Sequence, residues 1–104
     1  MEYTIINNKS QMRFEIHEGD HIAYLEYRFY KKNIAFMHTL VPEIMKNKGI
    51  GSALAVYAFQ YAKEINKKVM VYCPFVSSYM KRHPELREQL DKEFHQGYLK
   101  KADN

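Results

Sequence analysis

Ile34-Ala35-Phe36-Met37-His38-Thr39-Leu40-Val41, the loop Lys46-Asn47-Lys48-Gly49-Ile50-Gly51-Ser52, a periodic stretch from Ala53 to Ile65, and Val69-Met70-Val71-Tyr72-Cys73 follow one another in that order, and the order decides the fold. The first run is almost continuously apolar, as a central strand buried on both faces would be. Pro42 ends it, because proline offers no N–H to a ladder and holds Val41 extended. Past the loop, apolar residues fall at Leu54, Ala58, Tyr61, Ala62 and Ile65, with Gln60, Lys63 and Glu64 on the wet side. That spacing predicts a helix. Asn66-Lys67-Lys68 closes it, and Val69 to Cys73 reads as another buried strand. Strand, loop, helix, strand is a βαβ unit, so its two strands should lie parallel with a right-handed crossover.

Towards the N-terminus, Met12 to His17 alternates apolar and polar, the mark of a half-buried strand. Glu18-Gly19-Asp20 turns the chain, Ile22 to Tyr30 resumes as a hairpin partner, and Lys31-Lys32-Asn33 turns it again into the central strand. Towards the C-terminus the pattern predicts two shorter helices, Phe75–Arg82 and Glu85–Phe94. Pro84 opens the second, Leu86, Leu90 and Phe94 share its face, and Gly97 ends it. The expected class is α+β: a mixed sheet with antiparallel first strands and a parallel β-α-β unit.

The 104 residues give room for one core, so residues 1–104 are read as a single domain. No apolar run approaches the ~20 residues of a membrane span, and the first residues lack the basic and apolar regions of a secretory signal. One cysteine, Cys73, excludes an internal disulfide framework and fits a reducing compartment, so cytoplasm is the expected location. A net charge of +4 is spread along the chain. It implies weak attraction for polyanions and equally serves ordinary solubility.

Lys46 to Ser52 joins the central strand to the longest helix. Two glycines there let backbone N–H groups close around an anion, aided by the helix dipole and by Lys46 and Lys48. A pyrophosphate suits that arrangement, although the glycines could equally build only a helix entry. The run is not a P-loop, since G-x-x-x-x-G-K-[ST] is absent. Nor is it the dinucleotide fingerprint, because Leu54 stands where the third glycine would be.

The loop is similar to the acetyl-CoA signature [QR]-x-x-G-x-[GA] of GCN5-related N-acetyltransferases, with Lys46 in place of glutamine or arginine. His38-Thr39-Leu40-Val41-Pro42-Glu43, Gly49 to Leu54, Cys73-Pro74-Phe75-Val76, Tyr79 and His83-Pro84-Glu85 extend the resemblance, towards a subfamily of very small members. It covers the chain from Met12 to about Glu93. The resemblance implies that the parallel strands splay apart and that the pantetheine of acetyl-CoA lies in the gap. Leu40, Val41 and Pro42 would hold that arm, and Lys46, Asn47, Lys48, Gly49, Ile50, Gly51 and Ser52 the phosphates. Larger relatives have two helices after their first strand and further C-terminal strands. A three-residue turn and little following chain replace them here, so the expectation is a donor half with the acceptor half largely missing.

Acetyl transfer to an amine requires a neutral amine, a held oxyanion and a protonated leaving thiolate. By the resemblance Tyr79, on the helix after the last strand, is a candidate proton donor; alternatively it is a core aromatic. Cys73 precedes Pro74 and so occupies a helix N-cap, where a thiolate is favoured. There it would either accept the acetyl group or be a small core residue. His38, expected on the face of Ile34, Phe36 and Leu40, is a candidate base for Cys73 or simply a locally bonded histidine. Glu43 is open in the same way, between activating an amine and ending a strand. His17, His21, His83 and His95 show no ligand spacing with Cys73, so no metal site is expected.

The function expected is acetyl-CoA-dependent N-acetylation of an unidentified amine, by a monomer. A non-catalytic CoA-binding module is the alternative. Nucleic-acid binding, suggested by the basic charge with Tyr24, Tyr27 and Phe29, is set aside, because no RNP-type run accompanies those strand aromatics.

Overall fold

A computed structural model of the chain describes residues 3–96. Strands β1 (Ile6–Asn8), β2 (Arg13–Glu18), β3 (His21–Tyr30) and β4 (Asn33–Leu40) lead through a 3-10 turn (Glu43–Met45) to helix α1 (Ile50–Glu64). Strand β5 (Lys68–Val71), helix α2 (Pro74–Lys81) and a 3-10 segment (Pro84–Gln89) follow. The sheet runs β1-β2-β3-β4-β5, antiparallel as far as β4 and parallel between β4 and β5. The expected α+β class and βαβ unit are both present. Strand β1 adds an edge that the sequence did not announce.

The core lies under one face of the sheet. Phe14, Leu25, Tyr27, Ile34 and Phe36 point there and meet Leu54, Ala58 and Ala62 of α1. The alanines leave little side-chain bulk between helix and strands. Phe14 stacks on Tyr27 at 4.5 Å, and the rings of Tyr57 and Tyr61 close edge-on at 5.3 Å, a geometry that the ring quadrupoles favour. The buried Tyr27 hydroxyl donates to Asn7 Oδ1 at 2.7 Å, which fastens β1 to the sheet.

Two expectations are corrected. Glu85–Phe94 is not one helix: after the 3-10 segment Leu90 turns extended and bridges Val69, and Asp91 N–H donates to the Val69 carbonyl. Leu90 is fully buried, so its apolar character serves a sixth-strand position and not a helix stripe. Gly97 lies outside the described residues.

The second correction concerns His38. Glu26 pairs with His38 but Tyr27 pairs with Phe36, so Met37 is the extra residue of a β-bulge. Past the bulge the alternation inverts. Thr39, opposite Leu25, joins Phe36 on the core face, while His38 and Leu40 pass to the other face.

Candidate functional site

Pairing between β4 and β5 ends at Phe36 and Val71. The Phe36 carbonyl then accepts from both Tyr72 N–H (3.0 Å) and Cys73 N–H (3.1 Å), which turns the chain away into α2. From Met37 onward β4 has β3 as its only ladder partner among the described residues, so the parallel strands part there. Thr39 Oγ1 and Cys73 Sγ, 3.3 Å apart, close the base of the notch.

A cleft of about 540 Å³ opens beyond this notch. Thr39, Leu40 and Val41 form one wall, Phe75 the other, and Lys46, Asn47 and Gly49 to Ser52 the end. Gly49 is the N-cap of α1 and sits at φ 75°, a left-handed conformation suited to glycine. Asn47 is also left-handed, at φ 65°, and asparagine tolerates this better than most residues. The first bond of α1 runs from Ala53 N–H to the Gly49 carbonyl at 3.0 Å. A glycine cap brings no side-chain acceptor, so the N–H groups of Ile50, Gly51 and Ser52 have none from the cap. The positive end of the helix dipole coincides with them.

Of the residues expected to hold a donor, Pro42 and Lys48 stand outside this lining. The Pro42 carbonyl accepts Met45 N–H at 2.8 Å. Lys48 Nζ lies 3.0 Å from Glu18 Oε1, and the Lys48 carbonyl accepts the Tyr3 hydroxyl. Lys46 Nζ is 3.3 Å from Glu43 Oε1, in an exposed pair. Phe75 is a residue the sequence reading missed. A Cβ on Gly51 would lie 2.7 Å from its Cζ, so the bare backbone at 51 already accommodates a ring of this protein.

The three candidates for chemistry are not brought together. Cys73 caps α2 as expected, but only 1% of it is exposed, among Val76 and Met80 in the core. His38 is on the opposite face of β4 from Thr39, with Nδ1 3.0 Å from Glu26 Oε1. Tyr79 faces a separate groove lined by Val56, Phe59 and Leu86, and it stacks on His83 at 4.1 Å. Burial, then the charge of Glu85, raises its hydroxyl pKa, with Arg82 opposing. Tyr79→Phe should therefore leave CoA affinity unchanged and cost at most a modest amount of stability, checked by calorimetry and a thermal melt. A selective loss of turnover would instead bring Tyr79 back to the chemistry.

Among the described residues no group of three metal-ligating side chains comes together, and no helix is long and apolar enough to cross a membrane. A family model described as GCN5-related N-acetyltransferase matches residues 13–90.

Proposed function

The chain belongs to the GCN5-related N-acetyltransferase family, and on that premise we propose that it transfers an acetyl group from acetyl-CoA to an amine, holding the donor in the cleft between β4 and the start of α1. The observation that carries this reading is the parting of β4 from β5 after Phe36, directly above a helix N-terminus capped by glycine. An extended arm can enter the notch and bond the backbone of Leu40 and Val41. A pyrophosphate can take the N–H groups of Ile50 to Ser52, where helix dipole and free donors coincide. The acceptor amine attacks the thioester carbonyl carbon, the C–S bond breaks, and CoA leaves as the thiolate.

On this reading transfer is direct. Cys73 is shielded and shares its sulfur with the Thr39 hydroxyl, so it forms the floor of the notch and does not relay the acetyl group. Incubation with acetyl-CoA followed by intact mass measurement should return unmodified protein. A stable acetyl adduct at Cys73 would restore the relay.

Calorimetric titration with CoA, followed by thiol release from acetyl-CoA across a set of primary amines, tests the proposal. Absence of CoA binding would overturn it. Binding without thiol release for any amine would favour the non-catalytic module. Lys48→Ala should weaken CoA binding only about two- to threefold, and less at high salt, because the lysine is exposed and acts through charge. A large, salt-independent loss would mean that Lys48 makes a fixed contact.

A further inference from the structure

The bulge at Met37 places on the other face of the sheet a cluster that the donor cleft does not use. Glu26 is its centre. One carboxylate oxygen, Oε1, meets His38 Nδ1 at 3.0 Å, and the other, Oε2, meets Arg28 Nη2 at 2.6 Å. Arg28 is tied in turn, since its Nη1 donates to the Tyr27 carbonyl at 2.8 Å. The Tyr24 ring stands edge-on to the imidazole at 5.8 Å, with the Arg13 guanidinium 4.5 Å above that ring. The carboxylate is therefore held from both sides, and Tyr24 packs against the imidazole beside it. His38 remains 53% exposed.

This cluster adjoins the cleft. Leu40 shares the face of His38 and also lines the cleft wall, and two residues along a strand is a step of about 7 Å. An amine approaching the thioester from this side of the sheet would pass over His38.

We infer that Glu26 is a positioning residue for acetyl transfer, fixing His38 so that its Nε2 receives the proton of the acceptor amine; this rests on the function proposed above. A carboxylate has no hydrogen to give, so beside Glu26 Oε1 at 3.0 Å the neutral imidazole is favoured with its hydrogen on Nδ1. Nε2 then has the lone pair, on a ring open to solvent. As the amine nitrogen bonds to the acetyl carbon and the C–S bond breaks, nitrogen loses one proton to Nε2. The imidazolium keeps Nδ1 beside Glu26, and the proton on Nε2 passes to the leaving thiolate or to water. The products are the amide and CoA, with His38 neutral again. The same residue that cannot reach Cys73 across β4 is thus placed to serve the acceptor.

The experiment combines two readouts on the full chain. Long-range nitrogen–hydrogen NMR, at a pH where the ring is neutral, should give His38 as the Nδ1–H tautomer. In Glu26→Ala the population should move towards Nε2–H, with the amide spectrum showing that the fold is kept. With n-butylamine and spermidine as acceptors, kcat should fall about 100-fold in His38→Ala and about tenfold in Glu26→Ala. KM for acetyl-CoA and CoA affinity should hold in both, and Glu26→Asp should recover part of the loss. An unchanged tautomer in Glu26→Ala overturns the inference. So does undiminished turnover in that variant beside an active wild type, and in that case the proposed function survives. A wild-type protein that binds CoA but releases no thiol with either amine removes both.

Discussion

Gly51→Val is expected to weaken CoA binding at least tenfold, or ~1.4 kcal/mol. Two causes act at this residue and they separate experimentally. A side chain at 51 covers the N–H groups that open α1, so it blocks an approaching pyrophosphate. It also collides with Phe75: a Cβ would stand 2.7 Å from Cζ, 3.0 Å from Cε2 and 3.2 Å from Cε1. The ring is the far end of a flexible side chain, 38% exposed, so it can swing, but it is a wall of the same cleft and a displaced ring narrows or reshapes the space.

Gly51→Ala in a Phe75→Leu background resolves the two. Leucine is shorter than the ring, so the collision is relieved while the added methyl stays in front of the N–H groups. Thermal stability should recover in the double variant relative to Gly51→Ala alone, whereas CoA affinity should not. Calorimetry beside a thermal melt reads both quantities. Full recovery of affinity would mean that Gly51 serves α1–α2 packing and that the phosphates lie elsewhere.

The βαβ unit was legible because each of its parts has a strong local signature. A continuous apolar run, a proline stop, a glycine loop and a 3.6-residue period leave few other arrangements. The parting of the parallel strands is expected only from the family resemblance; the local signals bound two of the cleft's walls, the strand end and the helix start. The Met37 bulge has no such signature. One unpaired residue inverts which face every later side chain occupies, so Ile34, Phe36, His38 and Leu40 read as one stripe although the last two lie opposite the first two.

Tertiary pairing hid the rest. Leu86, Leu90 and Phe94 have helical spacing, yet Leu90 is recruited by Val69 as an extended bridge, and a long-range hydrogen bond outweighs local propensity. Three residues of β1 carry too little pattern to be seen alone and are held by Glu15 of the adjacent β2 and by Tyr27 of β3, one strand further in. Phe75 was read as the start of a helix; its place against Gly51 depends on how α2 meets α1. The cysteine-to-histidine pairing expected across the parallel strands failed for the same physical reason as the face of His38.

Glu15 shows a polar residue whose role follows only from its neighbours, and it supplies a second large effect. A glutamate in an alternating strand should face water, but this one is 3% exposed beneath its own strand neighbours. Arg13 Nη2 lies 2.7 Å away, His17 Nε2 2.8 Å, and Asn8 Nδ2 donates at 3.0 Å. Burial by itself pushes the carboxyl pKa up. The bonds from His17, Arg13 and Asn8, with the Arg13 charge, more than offset it and leave it below the ordinary 4.5. A carboxyl lowered in this way contributes stability that is complete above its unfolded value and is lost as pH falls through the folded one.

Glu15→Gln keeps the shape and removes the charge, so it should cost about 2 kcal/mol at pH 7, since hydrogen bonds to a charged group carry more than neutral ones while the partly exposed Arg13 and His17 screen the interaction. That corresponds to roughly 10 °C in Tm for a domain of this size. The difference should shrink as pH falls below the unfolded value and through the lower folded one, as wild-type Glu15 becomes protonated too. Asp91, also held low, by the Phe94 backbone N–H and Asn33, steepens the acid limb of both proteins equally and cancels in the comparison. Urea unfolding of the pair at several pH values measures the difference directly. A gap that stays constant from pH 7 to pH 2 would mean that the amide fails by fit, and that the charge of Glu15 contributes nothing to the sheet.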